Sequence, residues 1–365
     1  MKRILCSAAA LAAAASGAQA GGVERSTQSV AILLEKGRYA ELSFGHFDPT
    51  VTGSVLGGLL PSGDMSSSFN SWSLGYKMDI GDRMALAVIV DQPIGADVAY
   101  PGTFGPLSYP LAGTTATLTS SAVTALLRYR FESNVSLYGG LRYQTVHGEV
   151  SIPLVSHPVL GGYTLDTNDD SEFGYVVGVA WEKPEIAARV ALTYNSAITH
   201  QLESLEFGVV AAGFETEVPQ SLNLEFQTGI AKDTLLFGSI RWVDWSEFVI
   251  APPAYLLATS GQALVDYPND RVTYNLGIGR RFSENWSGAV ILGYEPADGE
   301  LTGNLGPTDG FRSAGLAVTY TMDSLKITGG IRYVDIGDAT TNPPVSASFS
   351  GNHGLGVGIR VGYTF

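Results

Sequence analysis

"GLGVGIRVGYTF" fills residues 354–365, and its alternation decides how the whole chain is read. Leu355, Val357, Ile359, Val361, Tyr363 and Phe365 share one face of a strand, while Gly354, Gly356, Gly358, Arg360, Gly362 and Thr364 share the other. Successive strand side chains point to opposite faces, so one face is wholly apolar and the other is small or charged. The same pattern recurs in "NVSLYGGLRYQ" (134–144), "EFGYVVGVAW" (172–181), "RVTYNLGIG" (271–279), "NWSGAVILGY" (285–294) and "LKITGGIRY" (325–333). In most of these, aromatics bracket an aliphatic middle. A lipid-facing strand needs that arrangement, an apolar band with aromatic rings at each water interface.

Fourteen such strands can be counted: 38–48, 68–79, 83–92, 113–131, 134–147, 171–182, 186–200, 217–231, 233–248, 271–282, 285–297, 311–322, 324–335 and 353–365. Their connections alternate in length. Gly81-Asp82, Glu132-Ser133, Lys183-Pro184-Glu185, Lys232-Asp233, Ser283-Glu284 and Asp323 make short turns, whereas 49–67, 93–112, 148–170, 201–216, 249–270, 298–310 and 336–352 are long. Short turns at one rim, long loops at the other and an even count predict an all-β fold: a 14-stranded antiparallel transmembrane β-barrel of the outer membrane. Both termini are expected on the periplasmic side. The last strand must then pair with the first, because an open edge in lipid leaves backbone groups unsatisfied. Phe365 fits the terminal aromatic through which the barrel assembly machinery recognises such proteins.

The other end reads as a leader. "MKRILCSAAALAAAASGAQA" (1–20) has Lys2 and Arg3, a short apolar run and an Ala18-Gln19-Ala20 cleavage site, so residues 1–20 are expected to be a signal peptide. Cys6, the only cysteine, leaves with it. Loss of Lys2 and Arg3 takes the formal charge from −14 to −16, which argues against nucleic acid as a partner. No later run is long and apolar enough for a transmembrane helix. Residues 21–37 precede the first strand and are expected to form a short N-terminal plug, with Val30, Ile32, Leu33 and Leu34 in the lumen. The barrel is then 38–365.

Inward positions are mixed: Arg128, Arg142, Gln144, Glu225, Lys326, Arg332 and Arg360 stand among small and apolar residues. Three stretches expected to be loops, 150–165, 205–214 and 251–265, are strongly apolar for segments facing water. Exposed apolar surface marks binding, so Leu154, Val155, Leu160, Val209 and Phe214 are candidate contacts for a hydrophobic ligand. Arg142 and Arg332, inward and mid-strand, are candidate anchors for a ligand carboxylate. Pro93 and Gly95 follow the third strand; proline cannot donate to the ladder, so they mark either a strand end or a break through which the wall opens sideways. The five histidines have no Ser nucleophile or acidic third member in a recognisable setting, which argues against an enzyme. No His/Asp grouping has metal-ligand spacing and no motif calls for a cofactor; the acidic run "DTNDDSE" (166–172) offers oxygen ligands for calcium, or more simply a solvated turn that divalent ions bind weakly.

Several stretches resemble one family, the FadL/TodX-type outer-membrane transporters of long-chain fatty acids and other hydrophobic compounds. "RWVDWSEF" (241–248), following "VPQSLNLEFQTGIAKDTLLFGSI", resembles its Pro-x-Ser-Leu strand, tight turn and Trp/Asp-Trp-Ser pattern, here Trp242, Asp244, Trp245 and Ser246. "RVALTYNSAITHQL" (189–202) is similar to its Tyr-x-Ser-x-x-x-His strand, "FSENWSGAVILGYEP" (282–296) to a later hairpin, and "DQPIG" (91–95) to a Pro-Phe-Gly element. The resemblance implies a plugged barrel that takes up hydrophobic molecules, most of all long-chain fatty acids, by passive diffusion. Ligand would be captured at apolar outer loops and leave through a lateral gap at a kinked strand. The chain departs from the family in its short plug and lack of an Asn-Pro-Ala motif. That departure and the acidic chain keep a general diffusion porin for small polar solutes as the alternative.

Overall fold

The computed structural model describes residues 23–365. The expected leader and Cys6 lie outside them. Fourteen strands form the wall, and we label them β1 (Tyr39–Thr50), β2 (Phe69–Ile80), β3 (Met84–Asp91), β4 (Thr115–Arg130), β5 (Val135–His157), β6 (Asp170–Lys183) and β7 (Ala188–Asn195). The second half comprises β8 (Ser221–Ala231), β9 (Thr234–Val243), β10 (Arg271–Arg281), β11 (Trp286–Glu295), β12 (Phe311–Met322), β13 (Leu325–Ile336) and β14 (Asn352–Thr364). Each pairs antiparallel with its neighbours in chain order. The ring closes where β14 meets β1, from Tyr39 opposite Thr364 to Thr50 opposite His353. The terminal Phe365 adds one more bond, its N–H donating to the Arg38 carbonyl at 3.0 Å.

The two faces of the wall differ as the alternation requires. Leu355, Val357 and Ile359 of β14 are nearly half exposed on the outside, as are Tyr175 and Val177 of β6 and Leu276 and Ile278 of β10. Aromatic pairs edge this apolar band: Trp286 with Tyr320 at one end, Tyr143 with Phe173 at the other. No helix among the described residues is long and apolar enough to cross a membrane. At the short-turn rim, Gly81, Asn134, Ala187, Asp233 and Asp323 have positive φ, as tight hairpin turns demand.

Residues 23–37 run inside the barrel. A 3-10 turn, Ala31–Leu34, buries all its side chains, and with Val30 it packs on Ala85, Ala87, Leu126, Tyr138 and Val176. Ala85, Ala87, Ala180 and Ala191 on the inner wall leave the room that the plug fills. At the long-loop rim a separate apolar cluster includes Val51, Tyr100, Tyr163, Leu264, Phe311 and Phe349. A small sheet of Thr52–Val55, Leu60–Asp64, Ala339–Thr340 and Ser348–Phe349 helps to roof the barrel.

Some expected boundaries move, each for a local reason. The stretch 150–165, expected as a loop, is mostly strand: β5 runs on to His157 and pairs with Gly161–Thr167. Alternation holds as far as Val150 and Ile152, and Pro153 sits where the ladder then shifts register. Strand seven, expected over 186–200, stops at Asn195. Ser196 turns back on β6, its N–H donating to the Tyr175 carbonyl and its Oγ accepting from the Tyr175 N–H, both at 2.9 Å. Ile198–Leu202 then pairs with Phe214–Val218 as a separate ribbon, cut from β8 by Pro219. Strand nine, expected to 248, ends at Val243 in a tight turn at Trp245–Glu247.

Candidate functional site

The wall is broken beside β3. The β2–β3 ladder ends at Leu74 opposite Val90, and above it residues 69–73 of β2 pair with β1 but with no strand on the other side. Pairing resumes higher, where the Ser67 N–H donates to the Asp97 carbonyl and the Ala99 N–H to the Met65 carbonyl. Between these points residues 92–95 leave the plane of the wall. They oppose β4 loosely, with Asp91 opposite Ala122 and then Ala96 opposite Leu118. Pro93 has no N–H to offer a neighbouring strand, so departure there forfeits no donor at that position.

The displaced segment pairs with the plug instead. The Gly95 N–H donates to the Val23 carbonyl at 2.8 Å and the Arg25 N–H to the Pro93 carbonyl at 2.9 Å. Arg25 fastens the junction further. Its Nε donates to the Gly95 carbonyl at 2.9 Å, its Nη2 pairs with Asp97 Oδ2 at 2.8 Å, and its guanidinium lies 3.2 Å from the Phe69 ring centroid. Ser120 Oγ holds both backbone groups of Ile94. Across the break, the Trp72 N–H has only the Gln92 side-chain oxygen, at 3.2 Å.

The plug is also tied to the opposite wall. Glu24 and Arg241, both nearly inaccessible, form an ion pair, with Nε 2.6 Å from Oε1. Arg241 also donates to Ser221 Oγ and Asn223 Oδ1, while Asn223 Nδ2 donates to the Thr27 carbonyl. Ser26 Oγ donates to Asp91 Oδ2 at 2.6 Å and Ser29 Oγ to Glu225 Oε1 at 2.7 Å. Asp91, Asn223, Glu225 and Arg241 thus fix the plug, whereas Arg128 and Arg360 pair with acids of the wall.

Two cavities meet at this junction. On the long-loop side lies an apolar pocket of about 70 Å³, floored by Val23 and Ile94 and walled by Val146, Leu202, Phe214, Phe248 and Leu264. Among the described residues lining it, Asp266 is the only charged one. Tyr267 also lines it, and burial pushes its phenol well above the ordinary value, so the pocket wall stays neutral there. On the other side of the junction a polar chamber of about 110 Å³ runs along β1, β2 and β14. It is lined by Arg25, Ser26, Ser71, Ser73, Asp91, Gln92, Arg332 and Arg360. The short antiparallel contact between residues 23–26 and 93–95 is the partition between them.

The residues singled out by sequence fall in different places. Phe214 lines the apolar pocket. Leu154 and Val155 are partly buried against the roof cluster, whereas Leu160 and Val209 are exposed at loop tips. Pro93 and Gly95 sit at the break. Arg142 lies beneath the plug, donating to Thr124 Oγ1 at 3.0 Å and to the Gln28 side-chain oxygen. Arg332 donates to Ser313 Oγ and lines the polar chamber. Neither arginine touches the apolar pocket. Trp242 and Ser246 converge on the next loop, Trp242 Nε1 and Ser246 Oγ both donating to Asp270, while Asp244 accepts from Gln220 Nε2 just before β8. Trp245 is buried against Phe248 and Tyr267, two residues of the pocket wall. Sequence reasoning missed Glu24, Arg25, Ile94 and Arg241; the inward parity of Arg241 on β9 was the one signal available.

No protein-family model matches the chain, and no curated protein sequence does. Solved structures do. The fold is similar to that of a FadL homologue from Pseudomonas aeruginosa, with a TM-score of 0.72 over 92% of both chains at 14% identity. The Pseudomonas putida toluene transporter TodX gives 0.66 over 98% of both chains at 12% identity. The Ralstonia pickettii toluene transporter TbuX gives 0.61 over 98% of both at 14% identity. A plugged, closed barrel of fourteen strands, with a wall broken after β3, therefore has the fold of the FadL/TodX-type outer-membrane transporters.

Proposed function

We propose that the protein is an outer-membrane channel for passive uptake of small hydrophobic molecules. They would be captured at the long-loop rim, held in the apolar pocket and released sideways through the break between β2 and residues 92–95. The observation that carries this reading is the position of the pocket: its floor, Val23 and Ile94, is the plug–wall junction itself. A molecule that displaces this junction moves from pocket to break without crossing the plug. Such movement is diffusion down a gradient and calls for no nucleotide or metal. The long loops would face the exterior and the short turns and both termini the periplasm, with lipid around the apolar band and Phe365 presented to the assembly machinery.

The lining favours uncharged hydrocarbons over fatty acids. A carboxylate in the pocket would meet Asp266 and no cation. Fatty acids, the ligand expected from the resemblance, are supported by a different feature, the guanidinium groups of Arg25, Arg332 and Arg360 around the polar chamber. Fluorescence separates the two. Trp245 packs on pocket residues, so toluene should quench the folded protein and Trp245→Phe should remove most of that response. Quenching by oleate alone would move the assignment to the chamber. No response to either would oppose hydrophobic uptake and support the polar-solute porin.

A further inference from the structure

Beyond the aromatic pair Tyr143–Phe173, β5 carries His147 and Glu149 on its outward face at the long-loop rim. The neighbouring strand Gly161–Thr167 places Asp166 directly opposite Glu149. Like charges directly opposite in an antiparallel ladder are destabilising, yet here two carboxylates are paired with an imidazole alongside. One donor atom from each of His147, Glu149 and Asp166 lies within 4.8 Å of the others. His147 Nε2 is 3.3 Å from Glu149 Oε1, while its Nδ1 is 3.5 Å from Asp169 Oδ1. Although the ring is partly exposed, Nδ1 is enclosed and makes no hydrogen bond.

We propose that His147, Glu149 and Asp166 bind a divalent transition-metal cation of the zinc class, with Asp169 beside the ring nitrogen that faces away from the metal. Bonds of about 2.0–2.2 Å in tetrahedral geometry place donor atoms roughly 3.3–3.6 Å apart, which the Nε2–Glu149 separation already matches. The two ring nitrogens face different carboxylates, Nε2 toward Glu149 at 3.3 Å and the unbonded Nδ1 toward Asp169 at 3.5 Å, so a metal on Nε2 would leave Nδ1–H free to donate to Asp169. The nitrogen donor sets the site apart from the all-oxygen shells that suit calcium and magnesium. Three protein ligands leave one position for water or for an anionic group at the rim. A bound cation would convert the Glu149–Asp166 repulsion into attraction and clip β5 to its hairpin partner Gly161–Thr167. This site is separate from the lumen, so it stands or falls independently of the transport reading.

The test is calorimetric titration of the full-length folded barrel in detergent with zinc chloride and with calcium chloride. The variants are His147→Ala, Glu149→Gln and Asp166→Asn, with folding checked by heat-modifiable gel migration. The expected result is one zinc site, at least tenfold tighter than calcium, lost in His147→Ala and weakened at least tenfold in each carboxylate variant. His157→Ala and His353→Ala should bind as the parent does. Undiminished zinc binding by folded His147→Ala, equal affinity for calcium, or no zinc binding by the parent would each overturn the proposal.

Discussion

Neutralising Glu24 should unfasten the plug at its first contact with the wall. Glu24 and Arg241 have side-chain exposures of 4% and 5%, so the pair is almost dry. Removing one partner of a buried pair costs about 3–5 kcal/mol, because the other charge remains buried. In Glu24→Gln an acceptor oxygen survives, and Ser221 and Asn223 still hold Arg241, so the lower end applies. About 3 kcal/mol, at about 1.4 kcal/mol per factor of ten, raises local opening of residues 23–28 roughly 150-fold. Amide hydrogen exchange reads this directly. The Arg25 and Ser26 amides, both bonded to the Pro93 carbonyl, should lose protection by that factor while the barrel strands keep theirs. Glu24→Gln/Arg241→Gln, which leaves no orphan charge, should recover much of the loss. Unchanged protection at Arg25 and Ser26, or a loss spread over the whole barrel, would refute the claim that this pair locally anchors the plug.

Three further outcomes follow from the same geometry. Ala116→Phe, whose new ring would occupy the apolar pocket, should weaken toluene binding at least tenfold in a Trp245 quenching titration. It should cost about 1–3 kcal/mol of stability through overpacking. A disulfide between Trp72→Cys and Gln92→Cys, placed across the break, should stop hydrocarbon entry into cells but leave binding intact, and reductant should restore entry. Gly178→Ala should destabilise the barrel by about 1–3 kcal/mol in urea unfolding, because the added Cβ meets the Tyr138 ring, which Thr193 holds at 2.8 Å.

Much of this architecture is legible in single strands. The β14 alternation states both faces of the wall, and repetition with alternating short and long connections gives the fourteen-strand order that the structure shows. Pro93 marks the place where β3 leaves its partner, because a missing N–H is visible in sequence. The contacts that fill the lumen are not visible there. Gln28 and Arg142 stand 114 positions apart and Glu24 and Arg241 stand 217 apart, and only barrel closure brings them together. Trp245 could be read in isolation as an interface aromatic; the 3-10 turn after Val243 rotates it inward onto Phe248 and Tyr267. The rim cluster was hidden for a similar reason. His147 and Glu149 are neighbours on one strand, but Asp166 reaches them only through the hairpin register.

The most direct test is the rate of hydrocarbon entry into cells expressing this protein as their main outer-membrane channel, measured with labelled toluene beside a small sugar. Toluene entry is expected to be faster than in cells lacking the protein, insensitive to uncoupler and slowed by Ala116→Phe, with sugar entry near that of those cells. Rapid sugar entry with toluene entry unchanged from those cells would contradict hydrophobic uptake.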